Sequence, residues 1–428
     1  MENNELNLDD IFMRLNSIAI FKNIFKTKTM SSLYDLLKIV YQGYLEEKQT
    51  GTGVFNFRKF QKDIIRSYAE FASNVYRHGG DFTKYVRKIV FEDKNIYITS
   101  AAQGILISDK MQRCLEIELM TLTLTASLTS EAVLNAFYHD DRLLKQRYLR
   151  PLDFLPQWNT SPVDLVAEYK ERIKKVHRYG YGIYSKYYMF IIKDGEIVPV
   201  KNPDIIKLSD LIGYKRQRDL IIENTLALIN GKPSQNVLLT GDAGTGKSST
   251  IKAIVNEYHD KGIRIIEIRK DQLRDIPMII DDLSRDPLKF IIFIDDLTFT
   301  AGDENYGTLK AILEGSVSAR AENIVIYATS NRRHLVKENF SDRDGDDIHR
   351  NDTVQELVSL SERFGLHVTF SKPDKKEYLN IVKGIAKNSG IDIPEEELAL
   401  RAEQFAAEKS GRSARAAKQF VDMLIAEK

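Results

Sequence analysis

Val237-Leu-Leu-Thr240-Gly241-Asp242-Ala243-Gly244-Thr245-Gly246-Lys247-Ser248-Ser249 is the stretch on which the reading of this chain turns. Residues 237–240 read as a buried strand and residues 249–258 as a helix, with the glycine-rich segment as the tight turn between them. In that setting residues 241–248 match the pattern G-x-x-x-x-G-K-[ST], and each position has a physical task. Glycine tolerates the positive φ that lets successive backbone N–H groups curl around phosphate oxygens, and the helix N-terminus adds the positive end of its dipole. Lys247 supplies a mobile charge for the β- and γ-phosphates, and the Ser248 hydroxyl fits one position on Mg²⁺. A chance glycine-rich turn with an exposed lysine would lack the strand before it and the helix after it. The expectation is a site for ATP and Mg²⁺ whose phosphate wall runs from Gly241 to Ser249.

An acidic feature downstream supports that expectation. Phe290-Ile-Ile-Phe-Ile294 leads directly into Asp295-Asp296. A carboxylate at the C-terminal end of a strand beside the phosphate loop can hold Mg²⁺ through its waters, and Asp295 is the candidate. Asp-Asp alone could close any strand; its weight comes from the loop upstream. Further short apolar runs at 263–268, 324–328 and 366–370 alternate with helical segments, as parallel strands covered by helices on both faces do. From Asp374 onward the pattern is helical, with turns at Gly390 and Pro394.

The N-terminal region reads differently. Leu33, Leu36, Leu37, Val40, Tyr41 and Tyr44 recur at spacings of three and four, as do Phe60, Ile64, Tyr68, Phe71 and Val75. Each set lays one apolar stripe on a helix. Gly79-Gly80 interrupts, and helical stretches follow at 111–124 and 130–149. Pro151, Pro156 and Pro162 surround the only tryptophan, Trp158, and mark a boundary or mobile connection before a charged helix near 163–177. Lys193-Asp194-Gly195-Glu196 then stands between two β-prone runs, a strong hairpin signal.

Composition narrows the function. The 428 residues include 43% apolar and 29% charged residues, with a net charge of +1. That length predicts two or three domains, and the near-neutral balance counts against coating nucleic acid or anionic membrane by bulk electrostatics. Arg172 to Tyr188 does interleave basic and aromatic residues, as strand-tracking proteins do, although charge on a helix face and tyrosines on a hairpin would explain it equally. Cys114 is the only cysteine, so a disulfide framework is excluded. The seven histidines form no metal-ligand pair on one helix face, which predicts no zinc site, and no G-x-S-x-G elbow occurs. An acidic Met-Glu-Asn-Asn-Glu start and no bilayer-length apolar run predict a cytoplasmic protein without membrane attachment.

From Leu208 to the C-terminus the ordered features resemble AAA+ ATPases. Lys207-Leu-Ser-Asp-Leu-Ile212-Gly213-Tyr214 resembles the family's adenine-side segment, which implies that Ile212, Gly213 and Tyr214 approach the base. Ile324-Val-Ile-Tyr-Ala-Thr-Ser-Asn331-Arg332 looks like the fourth strand ending in the polar sensor-1 residue, implying that Asn331 orients the attacking water or touches the γ-phosphate. Leu360-Ser-Glu-Arg363-Phe364-Gly365 resembles the arginine-finger segment, so Arg363 would act on a neighbouring subunit's ATP; the alternative is a surface arginine paired with Glu362 or Asp374. Ser410-Gly411-Arg412-Ser413-Ala-Arg415 looks like the sensor-2 helix, with Arg415 the better fit because Ala417 and Phe420 then face the lid core, and Arg412 the fallback. More narrowly, the phrases around Ile212, Asn224-Thr225 and Asn331-Arg332-Arg333-His334 resemble a bacterial family of AAA+ ATP-binding proteins designated only as a domain of unknown function.

The resemblance implies an α/β fold: a P-loop AAA+ core with a five-stranded parallel sheet at 207–372 and an α-helical lid at 373–428. A β-hairpin connector at 186–206 and a mainly α-helical N-terminal domain at 1–185 precede them. It implies ATP hydrolysis in a homo-oligomer, with the N-terminal domain contacting a protein partner to be remodelled. Asp296 departs from the family's usual Glu by one methylene, which leaves a slow or non-hydrolysing switch open. Asp303 and Glu304 are substitute carboxylates, or simply an exposed acidic loop. A loader or initiator acting on nucleic acid is the third reading.

Overall fold

The computed structural model describes residues 8–50, 57–136, 156–299, 304–314, 321–331, 362–409 and 411–427. The expected helix beyond residue 136, Pro151, Asp303, the Arg332-Arg333-His334 run and Ser410 lie outside them. Two compact units are present, one formed by Met1–Val176 with Tyr181–Lys186 and the other by His177–Gly180 with Tyr187–Lys428.

The first unit is helical, and its stripes become its core. Leu33, Leu36, Leu37 and Val40 of helix Lys28–Thr50 are buried with Ile64, Tyr68, Phe71 and Val75 of helix Phe57–Tyr76. Trp158 packs its ring 4.8 Å from Phe71 and 5.3 Å from Tyr68, and its indole N–H donates to the Leu128 carbonyl at 2.7 Å. Asp81, Asn95, Ser108 and Asp164 cap the four helices that follow them, each accepting a first-turn backbone N–H that would otherwise lack a partner. The buried Glu118 of helix Asp109–Ala126 accepts the backbone N–H groups of Ala19 at 2.8 Å, Ile20 at 3.0 Å and Phe21 at 3.1 Å. Among the described residues no helix is long and apolar enough to cross a membrane.

The second unit is built on seven described strands: β1 Met189–Lys193, β2 Glu196–Pro199, β3 Val237–Gly241, β4 Ile263–Ile268, β5 Lys289–Ile294, β6 Ile324–Thr329 and β7 Leu366–Phe370. Their order is β2-β1-β4-β5-β6-β3-β7. The five strands expected from the apolar runs are β3 to β7, all parallel. The sheet has seven strands instead of five because the hairpin joins it: β1 pairs parallel with β4, and β2 pairs antiparallel with β1. Asp194 at φ 52° and Gly195 at φ 78° make its turn. Phe190 and Ile192 bury one face of β1, and the hairpin covers what would otherwise be the open edge of β4.

Several residues of the interleaved segment 172–188 make internal contacts, although Lys174 and Arg178 stay exposed. In the helical unit Arg172 donates to the Phe91 carbonyl at 3.0 Å and Lys174 pairs with Glu171 at 2.6 Å. In the sheet unit Arg178 donates to the Asp260 carbonyl at 2.6 Å and Tyr188 stacks on His259.

Because β3, β5 and β6 are neighbours and parallel, their C-terminal ends open on one side of the sheet, where open α/β sheets form their crevices. Helix Lys215–Ile229 is tied to β6 from behind. Thr225 Oγ1 lies 2.9 Å from the Tyr327 hydroxyl, and Asn224 Nδ2 donates to the same hydroxyl at 3.0 Å. Burial pushes the Tyr327 phenol up to about 12. Three helices, Lys375–Asn388, Glu395–Glu408 and Ala414–Ala426, form the C-terminal lid around Tyr378, Ile381, Phe420 and Val421. Ala417 is fully buried with Phe420.

Candidate nucleotide site

A cavity of about 550 Å³ lies between the strand ends and the lid. Its floor is the glycine-rich turn. Gly241 sits at φ 129°, and a Cβ there would meet the Phe370 carbonyl oxygen at 2.0 Å, so the end of β3 tolerates no side chain beside β7. Gly244 at φ 76° and Gly246 at φ 93° are also in the region L-residues avoid. Thr245 Oγ1 donates to the Asp242 carbonyl at 2.8 Å, and Asp242 Oδ2 accepts the Lys372 N–H at 2.8 Å, pinning the turn to the chain beyond β7. Ala243, Ser248 and Ser249 line the cavity beside them.

Lys247 is 5% exposed and donates to three oxygens: Asp242 O at 2.8 Å, Gly241 O at 2.9 Å and Asn331 Oδ1 at 3.0 Å. Burial pulls its ammonium below the ordinary lysine range, against the opposing pull of Asp242, Asp295 and Asp296. Asn331, just past β6, turns its other end to Asp296, with Nδ2 donating to Oδ1 at 2.7 Å. The lysine, the amide and the second carboxylate therefore form one chain of contacts. Ser248 Oγ donates to Asp295 Oδ1 at 2.6 Å, and Thr329 Oγ1 lies 2.5 Å from the same oxygen.

The oxygen pair formed by Ser248 and Asp295 suits a hard cation such as Mg²⁺. Among the described residues no cluster of three or more His, Cys, Asp or Glu side chains could hold a metal alone. A Mg²⁺ at Ser248 and Asp295 would take its remaining ligands from water and from phosphate, which is how that ion is commonly bound.

The stretch around Leu211 to Tyr214 brings apolar side chains to the cavity, with Arg218 beside them. Gly213 at φ 82° and Tyr214 at φ 50° turn the chain there, and Tyr214 donates its hydroxyl to the Ser371 carbonyl at 2.7 Å. Ile212 packs against the bare backbone of the lid at Gly384, where a Cβ would come within 2.7 Å of it. Ile381 and Ile385 complete this end. From the lid, Arg415 N–H donates to the Gly244 carbonyl at 2.9 Å, and the Arg415 side chain lines the cavity. Arg412 is turned elsewhere, into a two-pronged pair with Glu403 at 2.9 and 2.6 Å.

Arg363 is not on the cavity wall. Its Nε donates to Glu314 Oε1 at 2.7 Å. The partner differs from the Glu362 or Asp374 weighed from sequence, because helix Glu304–Glu314 brings a carboxylate from 49 positions away. Glu304 itself begins that helix. Sequence reasoning missed Arg218, Thr329 and Lys418, all on the cavity wall. Two had a periodic signal: Thr329 precedes Asn331 by two, and Lys418 follows Arg415 by three.

Residues 185–428 match the family described as "Protein of unknown function (DUF815)". The chain belongs to that family. Replication factor C large subunits from two strains of Methanococcus maripaludis are 22% and 23% identical to it over 197 residues, 44% of this chain and 38% of theirs. The chain thus spans well under half the length of these curated relatives. Two solved structures of RuvB mutants from Thermotoga maritima match at 18% identity, with TM-scores of 0.36 and 0.35, over 52% of this chain and 66% and 67% of theirs. Fold, phosphate turn and relatives agree on a DUF815 protein of the AAA+ type.

Proposed function

We propose that this DUF815 protein binds Mg-ATP in the cavity and hydrolyses it to ADP and phosphate to remodel a protein partner held by its helical N-terminal unit. The observation that carries the reading is the chain Lys247–Asn331–Asp296, which joins the phosphate turn to the second carboxylate across two strands. Lys247 would exchange its three oxygens for phosphate oxygens. Gly241 to Ser249 would cradle the phosphates, Ile212 and Gly213 would flank the base, and Arg415 would add charge from the lid. Ser248 and Asp295 would hold Mg²⁺, which neutralises charge on the β- and γ-phosphates when bound. Asp296 and Asn331 would orient the water. Arg363 would leave Glu314 to reach a neighbouring subunit's nucleotide in a homo-oligomer.

Steady-state hydrolysis and equilibrium nucleotide binding test this. Lys247→Ala is expected to lose both, and Asp296→Ala to lose turnover while still binding. Wild type that binds ATP without turnover would establish the second reading, a nucleotide-gated switch. That reading has its own observation: Asp296 is one methylene short of Glu and already holds the Asn331 amide. The name of the curated relatives raises nucleic acid as a partner, whereas the chain's net charge of +1 does not favour it. DNA or RNA added to the assay under a salt titration decides that point.

A further inference from the structure

Behind the two carboxylates stands a threonine hydroxyl with no assigned role. Thr329 is the last residue of β6 and is 2% exposed. Its Oγ1 accepts the Asp296 N–H at 2.9 Å and lies 2.5 Å from Asp295 Oδ1. The directions of both bonds are fixed, since a backbone N–H only donates, an ionised carboxylate only accepts, and a hydroxyl has one proton to give. The Thr329 carbonyl also accepts the Leu297 N–H at 2.7 Å, so one residue holds the whole turn 295–297.

That turn needs holding. Asp296 lies at φ 53°, in the left-handed region that a residue with a side chain adopts only at a cost. The Asp295 carboxylate is fixed in the same stroke. Ser248 Oγ, Thr329 Oγ1 and Asp296 N all converge on its Oδ1, and its hydrogen bonds with described residues fall on that oxygen alone. Three donors on one oxygen orient the carboxylate and leave Oδ2 as the acceptor for what enters the cavity. Asn331, two residues on, reaches Asp296 Oδ1 at 2.7 Å, so β6 grips both carboxylates, Asp295 by Thr329 and Asp296 by Asn331.

We propose that Thr329 is a positioning residue for Mg²⁺: its hydroxyl holds Asp295 and the strained turn at Asp296 in the orientation the ion needs. It acts through those two residues and touches neither metal nor nucleotide. The inference rests on the Mg-ATP reading above.

The test is the affinity of a fluorescent ATP analogue for wild type, Thr329→Val, Thr329→Ala and Thr329→Ser, in EDTA and across a Mg²⁺ titration, with a thermal melt of each. Valine nearly matches threonine in shape and keeps the main-chain bond to Leu297. Thr329→Val and Thr329→Ala are expected to bind nucleotide in EDTA as wild type does, yet to need about tenfold or more Mg²⁺ for half-maximal tightening. Thr329→Ser is expected to restore the wild-type midpoint. An unchanged Mg²⁺ midpoint in either folded variant lacking the hydroxyl overturns the proposal. So does a loss of affinity of the same size in EDTA, since that marks a structural role only. Wild type that binds no nucleotide removes the Mg-ATP reading, and this inference with it, a result distinct from an unaltered variant.

Discussion

Glu118 in the helical unit and Asp295 in the sheet unit are both carboxylates on which several donors converge, and the difference between them separates architecture from chemistry. Glu118 receives three backbone N–H groups, from Ala19, Ile20 and Phe21, distributed over both of its oxygens. Its acceptor capacity is committed to holding the loop between two helices. Asp295 gathers its donors on one oxygen, and two of the three are side-chain hydroxyls. It also lies on the wall of a cavity of about 550 Å³. An acid whose two oxygens are taken up by three backbone N–H groups and the Cys114 thiol holds the fold; one that keeps an oxygen for a cavity is placed to act on something else.

Arg363 is the residue that could break this rule, because its side chain is committed within the chain to Glu314 and yet is read as working on a neighbour. The pair is partly exposed, at 27% for the arginine and 39% for the glutamate, so separating it costs little. Arg363→Ala is expected to lower ATP turnover about a thousandfold while nucleotide binding stays at the wild-type level. Mixing Arg363→Ala with Lys247→Ala is expected to recover part of the activity, since a mixed interface can join an intact loop to an intact arginine. Two inactive proteins that stay inactive when mixed would leave Arg363 as a surface ion pair, and the rule unbroken.

Glu118 sharpens the other side. Glu118→Ala removes the acceptor for three N–H groups in a buried setting, and is expected to destabilise the helical unit by about 2–4 kcal/mol. Nucleotide affinity is expected to be unchanged. Urea unfolding followed together with a nucleotide titration checks both. A weakened nucleotide site would show that Glu118 does more than hold its loop.

The same contrast explains what the sequence could disclose. The phosphate turn was legible because its chemistry is backbone chemistry: Gly241, Gly244 and Gly246 occupy positive φ, which only glycine adopts freely, so the function leaves a local mark. Asp194-Gly195 announced a hairpin for the same reason. That the hairpin pairs with β4 was not legible, since pairing depends on which edge a distant strand leaves open. Thr329 carried no mark beyond its spacing from Asn331, because threonine is an ordinary strand former and only its neighbours across the sheet give its hydroxyl meaning. Glu314 was hidden by distance along the chain. In the helical unit the stripes predicted the helices, and Leu33, Leu36, Leu37, Ile64, Tyr68 and Phe71 are taken up by its core.

The smallest effect is expected at two arginines three residues apart, which carry the contrast inside a single segment. Arg412 is committed to Glu403 by two hydrogen bonds, and that carboxylate holds its guanidinium above even the usual arginine range. Arg415 lies in the first turn of helix Ala414–Ala426, with its N–H on the Gly244 carbonyl and its side chain at the cavity, close enough that its charge helps to lower the Lys247 ammonium. Arg415 and Lys247 repel each other even with Asp242, Asp295 and Asp296 beside the lysine, and the β- and γ-phosphates would relieve that repulsion. Arg415→Ala is therefore expected to weaken ATP binding about tenfold, close to 1.4 kcal/mol, with a smaller loss for ADP. Arg412→Ala is expected to leave both affinities unchanged. Competition binding with ATP and ADP on the two variants measures the difference. If the two arginines lose affinity equally, the lid acts through its packing and not through the charge of Arg415, and the sensor-2 assignment to that residue fails.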